Sequence, residues 1–529
     1  MRLHMDSPLL SFRVLALGPF GTNPAAASRE SVTWFKDESI DEIVGHVGVS
    51  VRVEVPRTLH EDGYLELSIG SYKDFRPDRI VSTNMTLKNI VEARDLALGM
   101  INQGVERHKI IDRLKQVPEL TGLDLPISTK THSPQQKVSS SVEELLKIVA
   151  LGDEQKERAG KNKDIINAID KVLQGYLEAI YSSRTFRSLE ATWGGAKLLW
   201  DVGRGIESVE LGLIDIGDQA PEEILDILVT SLPLDLPSLI IFDWAMDNSA
   251  RSLGLLERIA ELCDTMLVPG IVEISPRFFQ LDRWEEIEKR PYLPHYLEEQ
   301  AFAKWQSLKR KSGSRWLCAA CNRVLARLPY GGGDQQSKIP FAEKELLWLS
   351  PVWALAALAA KSTQEFGWPS RMTDWKNCVL EDLPVWQVNS KMALPTEAVF
   401  TQDRITQFAR AGIVALCSVP NRDFAFVAFD NMVGGASLGY QLLLTMTAQF
   451  LMWCKDNFAE RLSPEELRDS IEGILILAWQ KRGYDMTEKI TVSVTPSPKE
   501  EKYIVGVKLD LPRNVLRGED NSISLEIPW

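Results

Sequence analysis

Residues Val209 to Ile274 read VELGLIDIGDQAPEEILDILVTSLPLDLPSLIIFDWAMDNSARSLGLLERIAELCDTMLVPGIVEI. Three strand-like apolar runs, Val209 to Ile216, Leu239 to Phe242 and Ile271 to Ile274, alternate with helical stretches at about Pro221 to Ser231 and Ser249 to Met266. Strand, helix, strand, helix, strand predicts a parallel sheet covered by helices, because parallel neighbours need a crossover long enough to hold a helix. The chain is therefore read as α/β. Asp215 and Asp243 fall at or near the carboxyl ends of two of the strands, where ligands of open α/β sheets bind. They are the best enzymatic lead, yet no G-x-G-x-x-G, P-loop or nucleophile elbow accompanies them. Caps or surface turns are the simpler reading, with no catalytic or cofactor-binding residue, and an enzyme using both acids is kept as a competing hypothesis.

Composition bounds the rest. At 529 residues the chain exceeds one ordinary core and suggests roughly three units of ~150 residues. It is 44% hydrophobic and 25% charged, and no window approaches the ~18 uninterrupted apolar residues of a membrane span. MRLHMDSPLL lacks the apolar region and cleavage site of a secretory signal, so the expected location is the cytoplasm, without membrane insertion. The net charge of −13 argues against nucleic acid as a partner. The KRK run at Lys309 to Lys311 is a local exception, read as a solvated turn, a polyanion site or a contact for an acidic protein. Six cysteines spread from Cys263 to Cys454 suit reduced, buried thiols. Cys318 and Cys321 form C-x-x-C, but no histidine or second pair follows at zinc spacing, and no metal site is expected.

Downstream, Ala301 to Gly331 reads AFAKWQSLKRKSGSRWLCAACNRVLARLPYG. The expectation is a helix, a basic glycine-containing turn, a second very apolar helix, and an exit at Pro329, which removes a backbone donor. Lys304, Trp305, Ser307, Ser314, Arg315, Arg323, Val324, Leu325, Arg327, Leu328, Pro329, Tyr330 and Gly331 match a longer irregular pattern. It resembles that of the large sheath subunit of the bacterial type VI secretion system (TssC or VipB). Phe186, Leu189, Glu190, Trp193 and Gly195, then Ser275, Pro276 and Phe279, then Pro395, Thr396, Glu397, Asp403, Arg404, Gly412, Ile413 and Leu416 extend the resemblance. Gly194 and Ala196 depart from the arginine and leucine of the family pattern.

The beginning of the chain has its own likeness. Phe12 to Leu17, Val51 to Val55 and Leu65 to Ile69 read as strands, the last two by alternation, and a helical stretch runs from about Thr86 to Leu114. Phe12 to Gly18, then Leu65, Leu67, Ser71, Asp74, Phe75, Pro77, Asp78, Ile80 and Val81, then Leu87, Ile90, Glu92, Ala93 and Arg94 resemble the small sheath subunit (TssB or VipA). The chain thus resembles two subunits fused in one: residues 1–128 a small-subunit-like α/β unit, 129–160 a linker with a short helix, and 161–529 a large-subunit-like unit with a mostly parallel sheet, helical regions and a strand-rich end.

The resemblance implies a structural protomer of a contractile sheath, polymerising with itself around an Hcp-like inner tube, attached to baseplate components and recycled by a ClpV-like AAA+ unfoldase. It implies no enzyme and no cofactor. The alternative is an adaptor, cap or scaffold derived from a sheath protein that does not polymerise. Leu145, Leu146 and Ile148, on a helix from Ser141 to Leu151, are the candidate unfoldase contact, with docking on their own domain as the alternative. The family's small subunits carry an extended N-terminal arm. Here Met1 to Ser11, interrupted by Pro8, spans at most ~35 Å, so a reduced or differently built mesh is expected.

The end of the chain alternates at Ile490, Val492 and Val494, at Tyr503 to Leu511, and at Ile523, Leu525 and Ile527. The last three are the candidate inter-subunit strand, which either pairs at home or is donated to a neighbour. Two helices precede these strands, from about Ala436 to Phe458 and from Ser463 to Trp479. On the second, Glu465, Glu466, Arg468 and Asp469 form a charged face, either solvated or, by the resemblance, turned toward the tube.

Overall fold

The apolar runs of the opening segment become neighbours in one sheet. The structure is a computed structural model that describes residues 11–21, 32–120, 164–204, 209–217, 220–231, 236–331, 341–458, 462–496, 503–516 and 521–529. Leu145, Leu146, Ile148 and the linker 129–160 lie outside the described residues.

The chain begins with β1 (Phe12–Gly18) and β2 (Thr33–Phe35), then forms a separate antiparallel pair, β3 (Val49–Glu54) and β4 (Tyr64–Ile69). It returns as β5 (Val209–Asp215), β6 (Leu239–Met246), β7 (Gly270–Ile274) and β8 (Leu317–Cys321). Two short antiparallel pairs follow, β9 (Val324–Arg327) with β10 (Leu347–Leu349), and β11 (Trp386–Asn389) with β12 (Met392–Leu394). With β13 (Ile413–Ser418) and β14 (Ala425–Val427) the large sheet is complete, in the order β14-β13-β8-β7-β6-β1-β5-β2. Its middle strands are parallel, and an antiparallel strand closes each side. Helices Pro221–Ser231 and Ala250–Met266 are the crossovers that the sequence predicts.

One face of the sheet packs on helix Ala250–Met266, with Leu256, Ile259 and Cys263 against Phe242, Val272 and Leu317 in a single core. The other face carries helix Pro351–Phe366. Its run from Pro351 to Ala360 is buried throughout, and the alanines let the backbone lie close to the strands. β1 sits between β5 and β6, pairing Phe12 with Val209 and Val14 with Leu239. The contacts divide the chain into one unit of Met1–Ile43, Ala191–Leu328 and Leu346–Trp529, and a second of Val44–Glu190 with Pro329–Glu345. β1, which resembles a small-subunit strand, is therefore a middle strand of the first unit's sheet.

In the second unit β3 and β4 bury Val49, Val51, Val53, Leu65, Leu67 and Ile69 on one face. After β4 the carboxylate of Asp74 accepts the Gly70 and Ser71 N–H groups at 3.1 and 2.8 Å, which turns the chain and places Phe75 inside. Helix 164–182 packs in the same unit: Tyr176 Oη donates to Leu59 O, Tyr181 Oη to Phe75 O at 2.5 Å, and Asp170 receives Arg94 Nε at 2.5 Å.

Two expectations need correction. The run after Trp316 is not a second helix. Leu317–Cys321 and Val324–Arg327 are strands, separated by Asn322 at φ 76°. Its amide donates to Ala398 O and Leu416 O, each at 2.8 Å, and accepts the Ala398 N–H at 3.1 Å. Those bonds repay a left-handed conformation that no helix interior contains. A short run buried on both faces has no period that tells strand from helix. The helix expected from Thr86 to Leu114 is likewise two, Met85–Asn102 and Arg107–Leu114, broken at Gly104 with φ 72°.

At the end of the chain, helices Leu438–Asn457 and Pro464–Lys481 precede β15 (Ile490–Pro496), β16 (Tyr503–Asp510) and β17 (Ser522–Pro528), an antiparallel meander as the alternation predicts.

Candidate functional site

The two acids, Asp215 at the end of β5 and Asp243 inside β6, are bonded into the fold. Asp215 Oδ1 accepts the N–H groups of Phe20 at 2.8 Å and of Gly21 and Gly217 at 3.3 Å, so it ties the turn after β1 to the end of β5. Asp243 lies where the β6–β7 register slips between Phe242 and Ala245. It accepts Thr192 Oγ1 at 2.7 Å and Trp353 Nε1 at 2.9 Å. Burial pushes its carboxyl above the ordinary range, and the donors of Trp353, Thr192 and Ser350 oppose that shift. Both acids thus hold the first unit together at the place where a ligand of such a sheet would sit.

The residues that resemble the large sheath subunit meet in space. Arg323 Nη2 reaches Glu397 Oε1 at 2.6 Å, and the Arg323 N–H reaches Glu397 Oε2 at 3.2 Å. The Glu397 N–H donates to Arg323 O at 3.1 Å and Leu325 N–H to Pro395 O at 2.8 Å, zipping the R-V-L segment onto the P-T-E segment. Arg404, 6% exposed, donates to the carbonyls of Glu288, Arg290 and Pro291 at 3.0 to 3.3 Å and to Gln407 Oε1 at 2.9 Å. Gly195 faces the Trp353 ring: an added Cβ would lie 2.3 Å from its Cγ. Trp193, fully buried, donates from Nε1 to Phe20 O at 3.0 Å.

These contacts were only partly legible. Glu273, 7% exposed, is a site residue that the motif pattern misses, and the signal that marks it is its being the lone charge in the buried strand GIVEI. Trp353 gave no signal beyond its residue type.

The candidate surfaces are placed as follows. Ile523, Leu525 and Ile527 lie on β17, an edge strand that pairs at home with β16, Val507 opposite Leu525 and Val505 opposite Ile527. Lys455 Nζ donates to Pro528 O at 2.8 Å, which fastens that end to helix Leu438–Asn457. Glu465, Glu466, Arg468 and Asp469 are exposed on helix Pro464–Lys481, whose Ser463 and Glu466 form a capping box. In the KRK run, Lys309 Nζ donates to Ala411 O at 3.0 Å and Lys311 pairs with Glu257 and Glu261. All six cysteines are buried and unbridged. Among the described residues no acid, histidine and cysteine grouping could hold a metal ion, and no helix is long and apolar enough to cross a membrane.

A family model described as VipB, EvpB-type tail sheath N-terminal domain, matches residues 237–432. The VipA model of the type VI secretion system matches residues 7–119. Models of the two type VI sheath families thus match separate stretches of one polypeptide. The type VI secretion system sheath protein TssC1 of Pseudomonas aeruginosa is 23% identical over 295 residues, which are 50% of this chain and 59% of that relative. The chain thus spans less than two thirds of the length of this curated relative. Among solved structures, the anti-feeding prophage helical sheath in its contracted state aligns with a TM-score of 0.35 and 13% identity, over 59% of this chain and 76% of that one. The sheath tail protein of Listeria innocua aligns with a TM-score of 0.33 and 12% identity, over 61% and 64%. The VipB match contains Glu273, Arg323, Glu397 and Arg404, and the VipA match contains β1 and the β3–β4 pair.

Proposed function

We propose that the chain is a protomer of a contractile injection sheath, which assembles with copies of itself around an inner tube and drives that tube by contraction. What supports this reading is the presence of both sheath families in one chain, since a single polypeptide then supplies what two subunits supply elsewhere. Head-to-tail contacts that do not close generate a helix, and contraction is a rigid-body repacking of protomers from an extended to a lower-energy array. β17 is the element best suited to knit neighbours, because an edge strand offers main-chain groups to another chain. The exposed face of Glu465, Glu466, Arg468 and Asp469 is the proposed tube-facing surface. Baseplate components and a ClpV-like unfoldase are further proposed partners, the latter through Leu145, Leu146 and Ile148. The chemistry is mechanical, with no catalytic residue.

Negative-stain electron microscopy of the purified full chain, beside a version lacking residues 521–529, tests this. Hollow tubes are expected from the full chain and none from the truncated one, with circular dichroism confirming that the truncated chain is folded. Discrete monomers or small closed rings from the full chain, at every concentration and salt tried, refute polymerisation and favour an adaptor or cap of the same apparatus.

A further inference from the structure

Toward the carboxyl ends of β6 and β7 two carboxyl groups, Glu397 and Glu273, face the Arg323 guanidinium, and a third, Asp243, acts on Glu273. Arg323 is committed to Glu397, at 2.6 Å from Nη2. Its Nε–H is buried and makes no hydrogen bond, and Glu273 Oε1 lies 3.9 Å from that nitrogen. Asp243 holds its own donors, Thr192 and Trp353. The Ser350 hydroxyl, at the start of helix Pro351–Phe366, lies beside both Asp243 and Glu273, and the Cys321 thiol of β8 faces Glu273 and Glu397. The only charges on helix Pro351–Phe366 itself are Lys361 and Glu365, well past its first turns, and Lys361 is occupied by Glu381 at 2.7 Å.

Three ionised acids against one cation would leave two uncompensated negative charges in a buried place, and that cost is avoided by holding a proton. Asp243 has two donors and Glu397 has the guanidinium, which leaves Glu273 the acid least supplied with donors and the one to which the proton is assigned.

We propose that Glu273, Arg323 and Glu397 form a proton-operated latch that controls how firmly the segment after β8 is tied to the segment before residue 398. With Glu273 neutral, Arg323 grips Glu397 and the R-V-L and P-T-E segments stay zipped. When Glu273 ionises, the free Nε–H of Arg323 turns to it, and the grip on Glu397 weakens. The proton leaves to solvent and no other bond changes. This latch is independent of whether the chain polymerises.

Burial moves the Glu273 carboxyl from 4.5 to about 7, opposed by Arg323 and Ser350 and reinforced by Asp243 and Glu397. The sign follows. Below pH 4.5 the group is neutral in the closed and opened forms alike; as pH rises toward 7, ionisation favours only the opened form; above 7 the penalty is constant. Between pH 5.5 and 8 these values give about a 30-fold rise in the local opening equilibrium.

Hydrogen exchange of the full chain, read by mass spectrometry on peptides covering 322–327 and 395–398 and corrected for intrinsic rates, tests the latch. Protection is expected to fall about 30-fold across that range, while peptides from β16 stay level. Glu273→Gln is expected to remove the dependence. A fall smaller than about fivefold in the unaltered chain overturns the proposal, whether or not the variant folds. An equal fall in a folded Glu273→Gln chain overturns it as well.

Discussion

Replacing Gly195 with alanine tests the packing at the heart of the first unit. In an open helix interior the change is favourable by about 1 kcal/mol, since glycine gives up more backbone freedom than alanine. Here the new Cβ would lie 2.3 Å from Trp353 Cγ and 2.4 Å from its Cδ1, closer than any carbon pair tolerates. The neighbour cannot yield cheaply, because Trp353 is fully buried and its Nε1 is bonded to Asp243 at 2.9 Å. Overpacking costs about 1–3 kcal/mol. Pulling the indole from the carboxylate adds about 1–3 kcal/mol. After subtracting the helix gain, Gly195→Ala is expected to destabilise by about 3 kcal/mol. Gly254, inside helix Ala250–Met266, has nothing within 4 Å of an added Cβ, and Gly254→Ala should be neutral or stabilising by up to about 1 kcal/mol. Urea unfolding followed by near-ultraviolet circular dichroism, which reports the packed tryptophans, measures both. A Gly195→Ala midpoint equal to or above that of Gly254→Ala would refute the reasoning.

Two further outcomes follow from the same interior. Arg404→Lys keeps the charge but loses the planar fork that serves three carbonyls and Gln407, and is expected to cost about 2–4 kcal/mol; a urea midpoint unchanged from the parent would contradict it. Burial raises the thiols of Cys263, Cys318 and Cys321, and pushes those of Cys378, Cys417 and Cys454 up to about 12. At pH 8 the native chain should therefore leave a thiol reagent unconsumed for minutes and consume six equivalents once denatured, and a fast-reacting native thiol would show that the core opens.

The parallel sheet was legible because its apolar runs are bracketed by clear crossover helices, and β15 to β17 because one wet face imposes alternation. LCAAC was not, since a strand covered on both faces carries no period. β2, three residues long, offered too little pattern to read. The Arg323–Glu397 tie was beyond sequence reasoning because 74 residues separate the partners and nothing local marks either as paired. Asp215 closes β5, whereas Asp243 lies inside β6, which runs on past the expected end at Phe242 to Met246; the donors of the two acids come from elements as distant as 195 residues, so their work as internal ties could only be seen in space.

The central position of β1 has a consequence for how the chain is made. Phe12–Gly18 leaves the ribosome before either neighbour exists, since Phe20 and its partner Asp215 are 195 residues apart. At about 5–20 residues per second, that apolar strand waits roughly 10–40 s for β5 to be synthesised. A gene split after the amino-terminal segment would oblige it to find its sheet by collision with another molecule. In one polypeptide the search is intramolecular, at an effective concentration set by the tether rather than by expression level.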